Sequence, residues 1–228
     1  MNRLSLMIAG KKYKAEEDRS GMLRTINVKH LLEKLVEEQP GPTPSFTPIH
    51  LLELLLYLGR EAPVGRKKLS SSLKIGEGAI RSMLKRLVKA GIVDVTSEGC
   101  VLTSKGIKIY NEVSGKLVDI GLVNIRMPWD HKYNYAVVLR GRSHLLKRGL
   151  EQRDAAIRAG AQAALVMTYL GDELHMPGVS ILSREKPEFA AEVIKNIKPK
   201  EGDTIIITGA DDYREAKYGA LAAAQTLL

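Results

Sequence analysis

The chain has 228 residues, of which 44% are hydrophobic and 27% charged, so it has the composition of a globular protein and not of a disordered one. A single cysteine, Cys100, excludes an internal disulfide framework, and the apolar runs fall short of the ~18 residues of a membrane span; we therefore expect a cytoplasmic protein with no membrane partner. Of the net charge of +9, residues 1–116 contribute +8, with 20 Lys+Arg against 12 Asp+Glu. Such asymmetry favours a polyanion-binding half joined to a neutral one, although a generally basic protein without a nucleic-acid role is the alternative.

The first elements are an arm, a helix and a linker. Residues 1–25 are polar without a sustained period, which predicts a flexible N-terminal arm. Residues 26–39 place their apolar side chains on one helical face, and the prolines of residues 40–44 end that helix. Residues 26–47 are therefore predicted to form a helix and a Pro-rich linker.

Residues 48–116 predict a compact unit of helices followed by a hairpin. The predicted helices cover residues 49–57, 65–73, 77–90 and 103–116, and the predicted strands cover 92–96 and 100–103. In the third helix the apolar residues recur at the spacing of one buried stripe: Ile80, Met83, Leu84, Leu87 and Val88. This order of elements is that of a winged helix-turn-helix domain.

The second half alternates helices with short apolar strands. Strands are predicted at residues 133–139, 163–169, 179–182 and 204–208, and helices at 144–159, 187–197 and 212–227. This alternation predicts an α/β sandwich in residues 117–228. The predicted fold class is thus mixed, α+β or α/β, with an N-terminal winged helix and a C-terminal sandwich.

The third predicted helix carries the features of a DNA-recognition helix. If its apolar stripe faces the core, its outward residues are Glu77, Gly78, Arg81, Ser82, Lys85, Arg86 and Lys89. Arg81 and Ser82 are predicted to contact bases, and Gly78 leaves room for close backbone approach. Lys85, Arg86 and Lys89 are predicted to contact phosphates. Residues 60–89 hold nine Lys/Arg against two Glu, more one-sided than an ordinary solvated helix face.

Two phrases in this region resemble a known class of regulator. LSSSLKIGEGAIRSMLKRLVKAGIVDV (69–95) and LTSKG (102–106) look like the winged-helix domains of bacterial and archaeal transcription regulators. This resemblance implies that Arg66, Lys67 and Lys68 contact the DNA backbone. GPTPSFTP (41–48), GLEQRDAAIRAGAQAA (149–164) and AKYGALAAAQTLL (216–228) are similar to an archaeal winged helix-turn-helix family whose C-terminal α/β domain has no assigned function.

Polar residues of the second half cluster where predicted strands end. Ligands of α/β sheets commonly bind beyond the carboxyl ends of strands, and Ser143 would cap a helix that attracts anions. A small anionic effector is therefore expected at some of these residues: Arg140, Arg142, Ser143, Arg153, Asp154, Asp172, Asp211 and Asp212. The alternative is that the aspartates are turn and cap residues and that Arg153 and Asp154 face solvent.

Catalysis has little support in the sequence. The five histidines are dispersed without metal-ligand spacing, and the chain has no P-loop, G-x-G-x-x-G or G-x-S-x-G motif. We therefore predict no catalytic residue, metal or cofactor. His50 is predicted to be a core or boundary residue, and Trp129 to line a pocket, a dimer seam or an inter-domain contact.

The sequence favours a homodimeric transcription regulator that binds duplex DNA, with residues 117–228 serving dimerisation, effector sensing or both. The Ala-rich segment 216–228 is either a dimer seam or is buried against its own sheet. One alternative is an enzyme that acts on a small phosphate or carboxylate and is fused to a nucleic-acid-binding domain. The other is an adaptor whose winged helix binds proteins.

Overall fold

The computed structural model describes residues 7–8, 11–12, 27–37 and 44–228. Within the predicted arm it describes only the short antiparallel strands β1 (Met7–Ile8) and β2 (Lys11–Lys12). The predicted flexibility of residues 1–25 and most of the Pro-rich linker lie outside the described residues. The helix predicted at 26–39 is confirmed as α1 (Val28–Glu37), which buries one apolar face.

The N-terminal half has its elements in the predicted order. These are α2 (Pro48–Glu61), α3 (Arg66–Leu73), α4 (Glu77–Lys89), β3 (Val93–Val95), β4 (Cys100–Leu102) and α5 (Ser104–Ser114). Because residues 51–56 are all buried, α2 is the central helix, and it contacts α1, α3, α5 and β4. The strands β3 and β4 form the predicted antiparallel hairpin.

Helix α4 follows from its apolar period, with one correction. Its buried residues are Ala79, Ile80, Met83, Leu84 and Leu87. Val88 was predicted to belong to this stripe but is 42% exposed. On the helical wheel it lies between buried Leu84 and exposed Arg81, so it falls at the edge that the core does not cover.

The second half contains a six-stranded sheet. Its strands are β5 (Leu117–Leu122), β6 (Tyr133–Leu139), β7 (Ala163–Leu170), β8 (Glu173–Met176), β9 (Ser180–Ile181) and β10 (Thr204–Ala210). They pair in the order β5-β6-β10-β7-β8-β9, and every pairing is antiparallel. The predicted mixed class is confirmed, whereas the sequence analysis missed β5 and β8.

Helices cover both faces of this sheet. α6 (Leu150–Arg158) and α9 (Tyr213–Gln225) lie on one face, and α7 (Leu182–Glu185) and α8 (Pro187–Ile197) lie on the other. The core beneath α6 and α9 is continuous with the core of the N-terminal helices, because α2 also contacts α9. One hydrophobic core thus joins the two halves of the chain.

The helix predicted at residues 144–159 starts later than expected, and the Ala-rich segment 216–228 is buried. The helix predicted at 144–159 begins only at Leu150, because Gly149 adopts a positive φ of 72° and a 3-10 turn, Ser143–Leu145, precedes it. The idea that Ser143 caps that helix is therefore wrong. Of the alternatives for segment 216–228, burial is correct: Ala216 and residues 219–225 pack inside the chain's own core.

The chain passes from one half to the other with almost no linker. α5 ends at Ser114 and β5 begins at Leu117. The Lys116 carbonyl accepts a hydrogen bond of 2.7 Å from the Arg140 amide, so the connection is already held by the sheet. Among the described helices, none has the length and hydrophobicity needed to cross a membrane.

Candidate nucleic-acid interface

The outward face of α4 presents most of the predicted DNA-contacting residues to solvent. Its exposed polar and glycine positions are Glu77, Gly78, Arg81, Ser82, Lys85 and Lys89. A Cβ atom at Gly78 would meet no atom of the described residues within 4 Å, so none of them packs against that position. The face is therefore accessible to a partner surface.

The cations of this face have no acidic partner among the described residues. Within the part of the chain that the structure describes, no carboxylate lies within 4.0 Å of Arg81, Lys85 or Lys89. The same holds for Arg66, Lys67 and Lys68, which are exposed in the first turn of α3. Two helices that contact each other thus both expose cations, an arrangement suited to polyanions.

Arg86 is half-buried and its guanidinium is held within the chain, which does not support the predicted phosphate contact. Its Nη1 donates hydrogen bonds to the carbonyls of Leu35 (2.7 Å) and Val36 (2.5 Å) in the last turn of α1. Its guanidinium carbon lies 5.1 Å from the centre of the Phe46 ring. The last carbonyls of a helix lack partners within the helix and carry partial negative charge, so a guanidinium is a fitting cap.

The hairpin that follows α4 is short. Its turn is held by Thr96, whose hydroxyl donates to the Gly99 carbonyl (2.9 Å), and Glu98 stands exposed at the tip. An acidic side chain at the tip is poorly suited to the DNA minor groove, because the DNA phosphates repel it. Cys100 is buried in β4, where burial raises the pKa of its thiol and nearby Arg66 opposes that rise.

The antiparallel sheet separates the residues expected to form an effector site. Thr204 at the start of β10 lies opposite Leu139 and Thr168, so the loops after β6 and β7 meet at that end. The loop after β10 lies at the other end, beside Tyr133 and Ala163, about 20 Å away for a strand of this length. Carboxyl ends of neighbouring strands share one edge only in a parallel sheet, so the strands of this antiparallel sheet do not bring these loops to one site.

Arg140 is not free to clamp an anion, because it already pairs with a carboxylate of the chain. It forms an ion pair with Asp203, which is 1% exposed. The amides of Gly141 (3.1 Å) and Lys200 (2.8 Å) donate to the same carboxylate. The neighbouring Arg142 and Ser143 are half-buried, and the Ser143 amide donates to the Gly202 carbonyl. The loop of residues 140–143 is therefore held against residues 200–203 by contacts within the chain.

Of the four predicted aspartates, Asp172 and Asp212 act as a turn and a cap residue, and Asp211 bonds to a neighbouring loop. Asp172 lies in the turn between β7 and β8 with a φ of 59° and accepts a hydrogen bond from the Tyr169 hydroxyl. Asp211 accepts from the Lys132 amide at 3.2 Å. Asp212 caps α9 by accepting from the amides of its first turn. The turn-and-cap alternative is thus the one that the structure supports.

Arg153 and Asp154 lie exposed on α6, close to each other at 3.5 Å. Together with Trp129 they line an open groove of about 590 Å³. The indole Nε1 of Trp129 donates to the Asn134 side chain at 2.7 Å, so the ring is anchored against its own sheet. Among the described residues, no group of three His, Cys, Asp or Glu side chains is placed to hold a metal ion.

The sequence analysis missed a polar cluster where α2 meets α9. Glu53 is 6% exposed, forms an ion pair of 2.5 Å with Lys217 and accepts from the Tyr218 hydroxyl at 3.1 Å. The ring of His50 packs edge-on against Tyr218 with centroids 4.9 Å apart. Burial raises the pKa of Tyr218, and so does the Glu53 charge. The signal available in the sequence was an acid, Glu53, in the middle of the apolar run of residues 51–58.

Comparisons with known proteins fit a transcription-regulator-like family. Residues 52–108 match a family described as "PH0730-like, N-terminal domain", and residues 131–227 match a domain of unknown function, DUF4443. The structure resembles that of the hypothetical protein PH0730 from Pyrococcus horikoshii OT3, with a TM-score of 0.59 and 27% sequence identity. That similarity covers 80% of this chain and 93% of PH0730.

A second similarity is to a named regulator. The central glycolytic genes regulator of Bacillus subtilis (strain 168) is 29% identical over 94 residues. The aligned segment is 40% of this chain and 28% of the length of that regulator. The chain is therefore regulator-like over a part of its length and spans less than a third of this relative.

Proposed function

We propose that the protein is a sequence-specific transcription regulator that binds duplex DNA through a winged helix-turn-helix formed by residues 48–116. The observation that carries this proposal is the two-sided character of α4. Its apolar side is buried in the core, whereas Arg81, Ser82 and Lys85 are exposed and make no ion pair within the described chain. The similarity to a regulator of glycolytic genes supports the same function.

In this proposal α4 enters the major groove. Arg81 and Ser82 contact base edges, since arginine bonds both acceptors of guanine and serine accepts or donates. Lys85 and Lys89 contact phosphates further along the helix, and Arg66, Lys67 and Lys68 contact the backbone from α3. The exposed amides around Glu77 and Gly78 stand nearest to the DNA.

Residues 117–228 serve as the dimerisation or effector-binding domain in this proposal, and the protein acts in the cytoplasm. Regulators of this type are commonly two-fold symmetric because their palindromic operators are. A homodimer here requires a seam other than the Ala-rich side of α9, which is buried within the chain. Sedimentation equilibrium with and without operator DNA tests this part independently of the DNA contacts.

The test begins by selecting bound fragments from randomised duplex DNA and then measures affinity for the selected site against salt. We expect a steep salt dependence, with log–log slope falling by roughly 0.9 for each phosphate contact removed. Lys85→Ala should lower the slope by about one contact and weaken all sequences alike. Arg81→Ala should instead relax the preference at one base pair, by about 1–3 kcal/mol.

Lys195→Ala is the matched control. Lys195 is an exposed cation on α8, which covers the sheet face remote from the N-terminal helices. The control should bind as the unaltered protein does. If Arg81→Ala and Lys85→Ala also bind duplex DNA unchanged, α4 is not the recognition helix and the proposal fails.

A further inference from the structure

A cleft of about 710 Å³ lies between the start of α4 and the start of α9. One wall is formed by Lys74, Gly76 and Gly78, in the turn and the first residues of α4. The opposite wall is formed by Arg214 and Glu215 in the first turn of α9. Small-molecule sites occur preferentially at boundaries between structural units, and this cleft joins both halves of the chain.

Two cations from opposite walls face this space. Lys74 lies in the turn between α3 and α4 with a φ of 52°, is exposed, and has no carboxylate within 4.0 Å among the described residues. Arg214 is 55% exposed at its side chain, and its Nε stands 3.8 Å from Asp212. Neither cation is held in a close ion pair.

His50 adds a neutral donor to the lining. The Thr47 amide donates to His50 Nδ1 at 3.0 Å, so Nδ1 is the unprotonated nitrogen and Nε2 carries the hydrogen. Burial lowers the pKa of His50 from its usual value of 6.5, which keeps the ring neutral at physiological pH although Glu53 opposes the shift. In this tautomer Nε2 is a hydrogen-bond donor.

The lining also holds two exposed carboxylates, Asp212 and Glu215. Asp212 Oδ1 accepts from the amides of Arg214 (2.7 Å) and Glu215 (3.3 Å), which caps α9, and the same oxygen lies 3.8 Å from Arg214 Nε. The donors and cations that line the cleft are Lys74, Arg214, His50 Nε2 and the backbone amides of the first turn of α4, for which Gly76 provides no side-chain cap.

We propose that this cleft binds a small metabolite bearing a carboxylate or phosphate group, held between Lys74 and Arg214. Of the residues that the sequence predicts to bind an effector, Asp212 alone lines this cleft. Because Gly76 and Gly78 line the cleft and the amides around Gly78 also stand nearest to the DNA in the proposed function, a bound anion competes with DNA for the start of α4 and thereby changes the affinity for DNA. This regulatory consequence rests on the proposed DNA-binding function, whereas the anion site does not.

The binding test uses calorimetric titration of the full chain with inorganic phosphate and, separately, with citrate, at constant ionic strength. We expect saturable binding of at least one probe, and the tighter probe distinguishes a phosphate from a carboxylate ligand. Arg214→Ala and Lys74→Asn should each weaken binding about tenfold, as expected for one charge-assisted hydrogen bond. Asparagine is chosen at position 74 because it tolerates a positive φ.

Two further variants sharpen the test. Glu215→Gln removes the uncommitted carboxylate of the lining and should tighten anion binding severalfold, whereas Lys195→Ala on α8 should leave it unchanged. Absence of saturable binding with both probes, or equal affinities in Arg214→Ala and the unaltered chain, would overturn the anion site. Retained circular dichroism spectra and melting temperatures would show that the variants are folded.

The regulatory step is tested separately. A saturating concentration of the tighter probe should change the DNA affinity of the unaltered chain at matched ionic strength, and should not change that of Arg214→Ala. If the probe binds while DNA affinity stays the same, the regulatory role is refuted and the site stands. If the chain binds no DNA at all, the proposed function fails, and the titration alone decides the site.

Discussion

Replacing Arg86 with alanine separates a structural cation from a DNA-binding one on the same helix. Arg86 and Lys85 are adjacent and carry the same charge, but only Arg86 is tied to the chain. Its guanidinium donates to two carbonyls at the end of α1 and lies over the Phe46 ring. We therefore expect Arg86→Ala to reduce stability and Lys85→Ala to reduce DNA affinity.

The magnitude follows from these contacts. A hydrogen bond from a charged donor contributes about 1.5–3 kcal/mol, and a cation–π contact adds about 0.5–1 kcal/mol. Val36 is only half-buried, so water can reach the end of α1 and replace part of the lost bonding. We expect a net loss of about 2–3 kcal/mol in the free energy of unfolding, which lowers the melting temperature by about 5–10 °C for a protein of this size.

Urea denaturation gives the free energy of unfolding for both variants, and DNA titration from low to moderate salt gives the slopes. Arg86→Ala should keep the salt slope of the unaltered protein, measured at a temperature where it is folded. Lys85→Ala should keep the stability and lose about one phosphate contact from the slope. A stable Arg86→Ala with a reduced slope would contradict the reasoning and return Arg86 to the DNA-binding surface.

Three other changes have definite expected outcomes. Lys217→Met leaves Glu53 buried without its cation and should cost about 3 kcal/mol in the free energy of unfolding, most of which Glu53→Gln should restore in the double variant. Gly209→Ala places a Cβ atom 2.4 Å from Trp129 Nε1, so it should cost about 1–3 kcal/mol and shift the fluorescence of the single tryptophan. Because burial lowers the pKa of His50, the unfolded chain takes up a proton more readily below its usual 6.5, and stability should fall with decreasing pH in that range. His50→Gln, which retains the capping pattern, should weaken this pH dependence in urea titrations at pH 5, 6 and 7.5.

Each of these outcomes has a clear opposite. Full stability of Lys217→Met would show that the ion pair between α2 and α9 contributes nothing. An unchanged emission spectrum in Gly209→Ala would mean that the indole does not pack on β10. A pH profile that is identical in His50→Gln would assign the acid sensitivity to other groups.

The helix α4 and its buried side could be predicted from the sequence, because its apolar residues recur at a helical spacing over more than three turns. The structural role of Arg86 could not be predicted, because a helical wheel identifies the outward residues but not the other helices that pack against them. The partner carbonyls of Leu35 and Val36 are about fifty positions earlier in the chain. Only the packing of α1 against α4 shows that Arg86 is tied to the chain, whereas the adjacent Lys85 is free to face a partner.

The second half shows the same limit at a larger scale. Helices that alternate with strands are typical of parallel sheets, but the hydrogen-bond register that makes this sheet antiparallel leaves no local mark. β5 escaped prediction because LVDIGL contains a glycine at a bulge and lacks a clean alternation. The expected effector loops were therefore placed together, although they lie at opposite ends of β10.

The near-absence of a linker between α5 and β5 bears on how this protein can be taken apart. A DNA-binding domain that is joined to its neighbour by a flexible linker can be fused to a different sensor domain, because the two domains do not share a core. Here only two residues, Gly115 and Lys116, connect α5 to β5, and α2 and α9 contribute to the same hydrophobic core. A chimera that exchanges one half alone would expose the apolar side chains that α2 and α9 bury against each other. A functional chimera of residues 48–116 therefore also needs the residues of α9 that contact α2.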